Sequence, residues 1–448
     1  MRIGCGAGFQ GDRLEPAVVL AAQGGLDWLM LECLAERTIA LATLERMRNS
    51  EAGYDILLER RLATLLPELA KNGVRLITNM GAANPLAAAR RVAALARELG
   101  LSIRVAAVTG DEVSRHLHPG IPVMETGAPV TSVPDIVSAN AYLGAEALLP
   151  AIETGAEVII GGRIADPSLA VAPLAHHFGW RLDDWDMLAR ATVIGHLLEC
   201  AGQVTGGYFA DPGRKDVPGL AHLGFPFAAV DADGSAYIGK VPGTGGLITL
   251  ATVKEQLLYE VVDPRAYITP DVVADFTSVR LTDLGGDRVH VGAARGRPRT
   301  PTYKASIGYR AGWMGEGEIS YAGPNARARA ELAAAVIRER IGEELPGTRY
   351  DLIGINAVHR TDFGSAIAPY EVRVRVAGLY QTRAQAERIG WEIEGLGTNG
   401  PAGGGGFRKS VTERVGVVSA LIPRELVRTE VTVFGTRVDA PVAAERAG

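Results

Sequence analysis

The sequence predicts an α/β protein, and three observations predict it. Short apolar runs end in glycine or polar clusters, alanine- and leucine-rich stretches with helical spacing separate them, and the texture changes after Gly206. The short runs are Arg2 to Cys5, Trp28 to Cys33, Val74 to Thr78, Ile103 to Val108 and Val158 to Ile160. Helical spacing fills Pro85 to Leu99 and Ala141 to Thr154. Such alternation is the signature of βα units, which favour a parallel sheet with helices on its faces. A further helix within Asp183 to Gly202 carries the apolar stripe Leu188, Ala191, Ile194 and Leu198, expected to pack against the sheet or a neighbouring subunit. Residues 1–206 therefore read as a parallel βα (Rossmann-like) domain.

Residues 207–448 read as an α+β domain. Strand-like segments come in quick succession: Ala228 to Val230, Ala236 to Ile238, Val279 to Leu281, Val289 to Val291 and Tyr303 to Gly308. Helices are expected over Gly246 to Val261, Arg327 to Ile341 and Ala384 to Glu394. Ile353 to Val358, Glu371 to Val376, Val415 to Ile422 and Glu430 to Val433 complete the strands, with a glycine-rich loop at 397–406. The boundary falls softly between about 206 and 226, where Asp211-Pro212-Gly213 and Val217-Pro218-Gly219 supply turn chemistry.

Composition narrows the function classes. Of 448 residues, 47% are apolar and 22% charged, enough to bury a sizeable core and too apolar for disorder. The 46 basic and 51 acidic residues give a formal charge of −5, without a basic tail or an aromatic-basic stripe, so no nucleic-acid partner is expected. Three cysteines, Cys5, Cys33 and Cys200, make no disulfide framework and no CxxC pair. No apolar run reaches the roughly 18 residues of a membrane span, and Met1 leads straight into a strand. A cytoplasmic, homo-oligomeric enzyme with a small-molecule substrate and no membrane partner is the expectation.

The clearest positional signal follows the early strands. The first runs into Gly6, Gly8, Gly11, Asp12 and Arg13; the second ends at Glu32-Cys33 and continues to Glu36; the third ends at Thr78-Asn79. The fourth leads to Thr109, Asp111 and Glu112, and the fifth to Gly161-Gly162-Arg163 and Asp166-Pro167-Ser168. Ligands of open parallel sheets bind outside the carboxyl ends of the strands. Each cluster alone reads as a cap or a salt bridge, but five at one sheet end place a site there.

Gly6-Ala7-Gly8-Phe9-Gln10-Gly11 is literally GxGxxG after a strand, with Glu32 at the end of the next. Against nicotinamide binding, Pro16 belongs in a helix's first turn, so the helix begins near Glu15 and the loop is too long for the motif. The loop also carries Asp12, which repels a phosphate. A glycine-lined approach to another ligand is the preferred reading.

Two later stretches are dense in polar and glycine residues. His196, Glu199 and Gln203 fall three and four apart, so they can share a helical face. Either a carboxylate-imidazole pair transfers protons there, or a helix ends and Glu199 is merely paired. Cys200 beside them reads as a small buried residue. The run Gly403 to Gly406, with Arg408 and Lys409 beyond, needs a reason for its four glycines: close approach to a ligand, or a mobile lid. His116 and His118, and His176 and His177, match no metal-binding motif, and no metal is expected. Nor is there a nucleophile elbow or a phosphate loop.

Several long stretches together resemble the acyclic terpene utilisation (AtuA) family. They are Gly4 to Arg13, Leu31 to Thr38, Ile77 to Pro85, Gly161 to Pro167, Leu198 to Gly207, Lys304 to Gly308, Gly315 to Asn325 and the loop Asn399 to Gly406. The family takes its name from gene clusters for citronellol and geraniol breakdown, whose other members activate, carboxylate and hydrate branched acyl-CoA esters. The resemblance thus implies an enzyme acting on an acyl-CoA or related branched carboxylic acid by hydration, hydrolysis or C–C cleavage. Such chemistry needs an acid-base carboxylate and donors for an enolate or oxyanion, and no redox cofactor. No cofactor is required by the sequence, CoA entering as part of the substrate.

In that reading Glu199 and Asp166 transfer protons, while Arg163 and Lys304 hold a carboxylate or stabilise negative charge. Gly8, Asp12, Arg13, Glu32, Asn79, Asp111, Gln203, Gly404 and Gly405 bind substrate. The alternatives are a non-catalytic CoA- or acyl-binding subunit of a larger complex, and a nicotinamide-dependent oxidoreductase. Longer relatives continue into a further C-terminal module, whereas this chain stops soon after Val433. A related branched-acid pathway, or a small separately encoded partner, is the expectation that follows.

Overall fold

The structure, a computed structural model, describes residues 1–362 and 369–435. The N-terminal half alternates as expected: β1 (Arg2–Cys5), α1 (Glu15–Gln23), β2 (Trp28–Leu31), α2 (Glu36–Arg48), α3 (Leu58–Asn72), β3 (Arg75–Thr78), α4 (Pro85–Glu98) and β4 (Val105–Thr109). There follow β5 (Ile136–Ala141), α5 (Ala145–Glu153), β6 (Val158–Gly161), α6 (Ser168–Phe178) and α7 (Trp185–Glu199). Next come β7 (Pro226–Val230), β8 (Ala236–Lys240), α8 (Leu250–Leu258), β9 (Tyr267–Ile268), β10 (Val273–Asp275), β11 (Arg280–Asp283), β12 (Val289–Gly292) and β13 (Arg295–Arg297). The chain closes with β14 (Thr302–Ala322), α9 (Ala326–Ile341), β15 (Arg349–Ile353), β16 (Glu371–Tyr380), α10 (Arg383–Asn399), β17 (Gly405–Pro423) and β18 (Glu430–Phe434).

The helices start and stop where local chemistry says they should. Pro16 sits in the first turn of α1, and Pro85 opens α4 behind Asn84, whose side chain accepts the Ala87 amide at 3.3 Å. Leu58, Leu62, Leu65, Leu66 and Leu69 form the buried stripe of α3, which Gly73 closes in a left-handed conformation at φ 67°. From Leu188 onward α7 is buried almost continuously and packs on α6, α8, β7 and β10, so its stripe is covered within the fold.

Five strands pair in parallel in the order β1-β2-β3-β6-β4. On one side β7, β8, β12 and β11 extend the same sheet antiparallel from β1; on the other, β18 pairs antiparallel with β4. The fold is thus mixed α/β with a parallel centre. Its order has an antiparallel neighbour on β1, unlike the 3-2-1-4-5-6 of dinucleotide-binding sheets. Across the soft boundary at 206–226 one sheet continues, because β7 pairs with β1 and β8 pairs with β7.

By compactness the described residues form two units, 1–308 with 417–435, and 309–362 with 369–416. The last stretch of the expected C-terminal domain, 436–448, lies outside the described residues. Turn chemistry at 211–219 marks a loop and not a domain edge. In the second unit β15, β16, β14 and β17 form the sheet, with α9 and α10 packed on β16. Period-2 alternation sends Ile319, Tyr321, Val372, Val374 and Val376 into a core shared with those helices. The strand expected at Tyr303 to Gly308 is part of the much longer β14, and the one expected at 353–358 is instead β15, ending at Ile353.

Candidate active site

At the carboxyl ends of the parallel strands, the first unit holds a cavity of about 910 Å³. Gly8, Asp12 and Arg13 reach it from β1, Glu32 and Glu36 from β2, and Arg163 and Asp166 from β6. Glu199, Cys200 and Gln203 enter from the end of α7, and Lys304 from β14. The clusters after β3 and β4 do not line it; they orient those that do. Asn79 donates to Glu32 Oε1 at 3.0 Å and accepts the Cys33 amide at 2.8 Å. Asp111 accepts the Arg163 amide at 3.0 Å and the Asn140 side chain at 2.8 Å. Gly162 is glycine because a Cβ would stand 2.7 Å from the Asp111 carboxylate.

The glycine-rich loop after β1 is explained by packing. A Cβ on Gly8 would lie 2.4 Å from the backbone carbon of Cys200, so the loop touches the end of α7. The Gly8 amide donates to Asp12 Oδ2 at 2.9 Å, and buried Arg61 clamps the carbonyls of Gln10 and Asp12 at 2.9 and 2.6 Å. The donor a pyrophosphate would need at Gly8 is therefore spent on the loop's own acid.

Arg163 is likewise committed. Its Nη1 donates to the Leu34 carbonyl, and Nη2 donates to the Ile164 carbonyl at 3.0 Å and to Asp166 Oδ1 at 2.5 Å. Its guanidinium lies 4.5 Å from the Tyr142 ring centre, and only Nε has no partner. This buried fork organises the wall, which leaves little of it for a substrate anion. Lys304 keeps 46% of its side chain exposed, 3.8 Å from Glu36 and over the same Tyr142 ring. Arg13 is exposed and donates to the Ala221 carbonyl at 2.9 Å.

The acids lining the cavity outnumber these cations. Burial pushes Glu199 up against the pull of His196, and pushes Glu32 up against Arg163. Burial and then the Glu32 carboxylate raise Asp166, with Arg163 opposing. Burial raises Asp12 as well. Glu36 goes the other way, because the Tyr142 hydroxyl, Arg163 and Lys304 outweigh its burial. Burial pushes the Cys200 thiol up, which keeps it a poor nucleophile.

The decisive geometry is at Glu199. Its Oε1 lies 2.8 Å from His196 Nδ1, whereas Oε2 is buried without a hydrogen-bond partner. Gln203 Oε1 is unpartnered too. Tyr142, Tyr259, Glu260, Tyr267 and Tyr303 also line the cavity, and sequence reasoning missed them. Tyr208 and Glu260 stand on its wall with left-handed φ of 59°, a conformation no residue pattern announces.

Gly404 and Gly405 lie in the second unit and do not line this cavity. Gly404 has a local reason to be glycine, since a Cβ there would meet Ile319 at 2.7 Å and Tyr321 at 3.0 Å. Among the described residues, no three His, Cys, Asp or Glu side chains group so as to hold a metal ion. No helix among them is long and apolar enough to cross a membrane. The family model described as "Acyclic terpene utilisation family protein AtuA" matches residues 1–433. No match was found among curated proteins or among solved structures.

Proposed function

We propose, from the premise that the chain belongs to the acyclic terpene utilisation (AtuA) family, that it is an enzyme moving protons on an acyl-CoA or related branched carboxylic acid. One arrangement carries this reading: Glu199 lines the cavity with its Oε1 held 2.8 Å from His196 Nδ1 and its carboxyl raised by burial. Hydration, hydrolysis and C–C cleavage beside a carbonyl all need a group that gives or takes a proton there, and Glu199 is that group. Asp166, raised and tied to Arg163, is the second carboxyl of the site. The substrate's anionic part is held by Lys304 and Arg13, whose charged ends are accessible, and not by Arg163.

The test is to incubate the purified protein with branched acyl-CoAs and their free acids and follow product masses. Gain or loss of water identifies hydration chemistry, free CoA identifies hydrolysis, and a shortened acyl chain identifies cleavage. Glu199→Gln is expected to lower turnover by on the order of 10²–10⁴ with its melting temperature preserved, because the amide still donates to His196 Nδ1. Tight binding of an acyl-CoA without turnover in the panel would make the protein a binding subunit and end this reading.

A further inference from the structure

The hydrogen on His196 is dictated by what surrounds the ring. Nε2 lies 3.0 Å from the backbone carbonyl oxygen of Gln256, which can only accept, so Nε2 carries a hydrogen. Gln256 is itself fixed, its side-chain amide donating to the His196 carbonyl at 3.0 Å. The rings of Tyr267 and Phe276 pack against the imidazole at 5.2 and 5.3 Å. Nδ1 is left facing Glu199 Oε1 at 2.8 Å, and two unprotonated acceptors do not stand so close in a buried site. One proton therefore lies between them. With His196 1% exposed and Glu199 7%, a separated ion pair would pay desolvation on both sides, so the neutral form is favoured: Oε1–H donating to Nδ1.

We propose that Glu199 is a two-oxygen proton relay and that His196, acting through it as a positioning residue, is the terminal proton store. This rests on the reading of the cavity as an acid-base site. In the forward step the Glu199 carboxyl turns so that Oε2, closed off in the free protein, meets the substrate; the substrate's X–H bond breaks and its electron pair stays on X, while the proton bonds to a lone pair of Oε2. The Oε1–H bond breaks in concert, its pair stays on Oε1, and that proton bonds to the Nδ1 lone pair. The carboxyl ends neutral as it began. The positive charge appears on the imidazolium, whose Nε2–H donates to the Gln256 carbonyl. The reverse step returns a proton through Oε2 to a carbon or a leaving oxygen. The charged and titratable groups facing this pair are Glu32, Arg163 and Asp166 from the strand ends, Glu260 after α8, Tyr267 in β9 and Cys200 at the end of α7.

The test reads protons directly in the free, full-length protein. Nitrogen NMR of His196 at neutral pH is expected to show a neutral ring protonated at Nε2. The infrared difference between wild type and Glu199→Gln should show a protonated-carboxyl band that the variant lacks. A carboxylate at neutral pH whose carboxyl band appears only on acidification, or a ring protonated at Nδ1 and bare at Nε2, overturns the relay. Should Glu199→Gln not fold, His196→Asn serves instead: it removes the ring signals and shifts the same band if the proton is shared. None of these readouts needs turnover. A failed relay leaves the acyl-substrate reading standing, and an inactive panel leaves the relay standing.

Discussion

On the face of the second unit's sheet turned away from α9 and α10, acids and arginines match across strands. Glu318 accepts from Arg373 at 3.2 Å, Asp351 accepts from Arg349 at 2.6 Å and from Arg375 at 3.0 Å, and Glu316 pairs with Arg375. Around the cavity of the first unit, Asp12, Glu32, Glu36, Asp166, Glu199 and Glu260 share only Arg13, Arg163 and Lys304. The same residue types serve opposite ends. Cross-strand pairs between partly exposed charges add little beyond solubility and register, and the one buried acid among them, Asp351, is matched by two arginines. Around the cavity, burial raises Asp12, Glu32, Asp166 and Glu199, while the Tyr142 hydroxyl, Arg163 and Lys304 lower Glu36.

The comparison breaks most visibly at the two arginines. Arg163→Lys should cost about 3–5 kcal/mol, because one ammonium cannot reach the carbonyls of Leu34 and Ile164 and also Asp166. Arg375→Lys should cost about 1 kcal/mol or less, since Arg349 still neutralises Asp351. Denaturant unfolding of both variants measures the difference, and equal losses would mean that the cavity charges are organised like those of the sheet.

Two glycines sharpen it next. Gly8→Ala forces a Cβ to 2.4 Å from the Cys200 backbone, where no side chain can yield. It should destabilise by about 1–3 kcal/mol and disturb the carboxyl at the end of α7. Nothing lies within 4 Å of a Cβ on Gly405, so Gly405→Ala should stay within roughly 0.5 kcal/mol of wild type. A thermal shift for Gly405→Ala as large as for Gly8→Ala would give the second loop a tight structural role.

The smallest effect is in the pH dependence of stability. Glu32 is raised by burial, so the folded state binds its proton more tightly than the unfolded chain does. Its contribution is complete below the unfolded carboxyl range, near about 4.3, and is lost as pH rises through the folded value. Glu32→Gln keeps an oxygen to accept from Leu34 and Asn79 but has no proton to lose. Its melting temperature should therefore gain on wild type as pH rises from about 4 towards 8. Parallel melting curves across that range would show that Glu32 ionises freely in the fold.

Much of this was legible beforehand, for local reasons. Apolar runs, helical spacing and the positions of Pro16 and Pro85 depend on residues a few places apart, and they located the early strands, the start of α1 and the polar ends from which the cavity is built. The sequence could even bring His196 and Glu199 to one helical face, since three residues make nearly a turn. By itself, then, it determined the parallel βα centre and the polar strand ends, of which those after β1, β2 and β6 line the cavity and those after β3 and β4 do not. Only tertiary structure decided that β7 and β8 join β1, that Gly8 meets Cys200, and that the Gln256 carbonyl, 60 residues from His196, fixes the imidazole. It also decided that Arg163 serves the wall and that Glu199 keeps one oxygen unpaired. The physical reason is that turns, caps and amphipathic periods are short-range properties of the chain. Burial, proton placement and the exhaustion of a donor depend on groups brought together from distant segments, and no local pattern encodes which of them will meet.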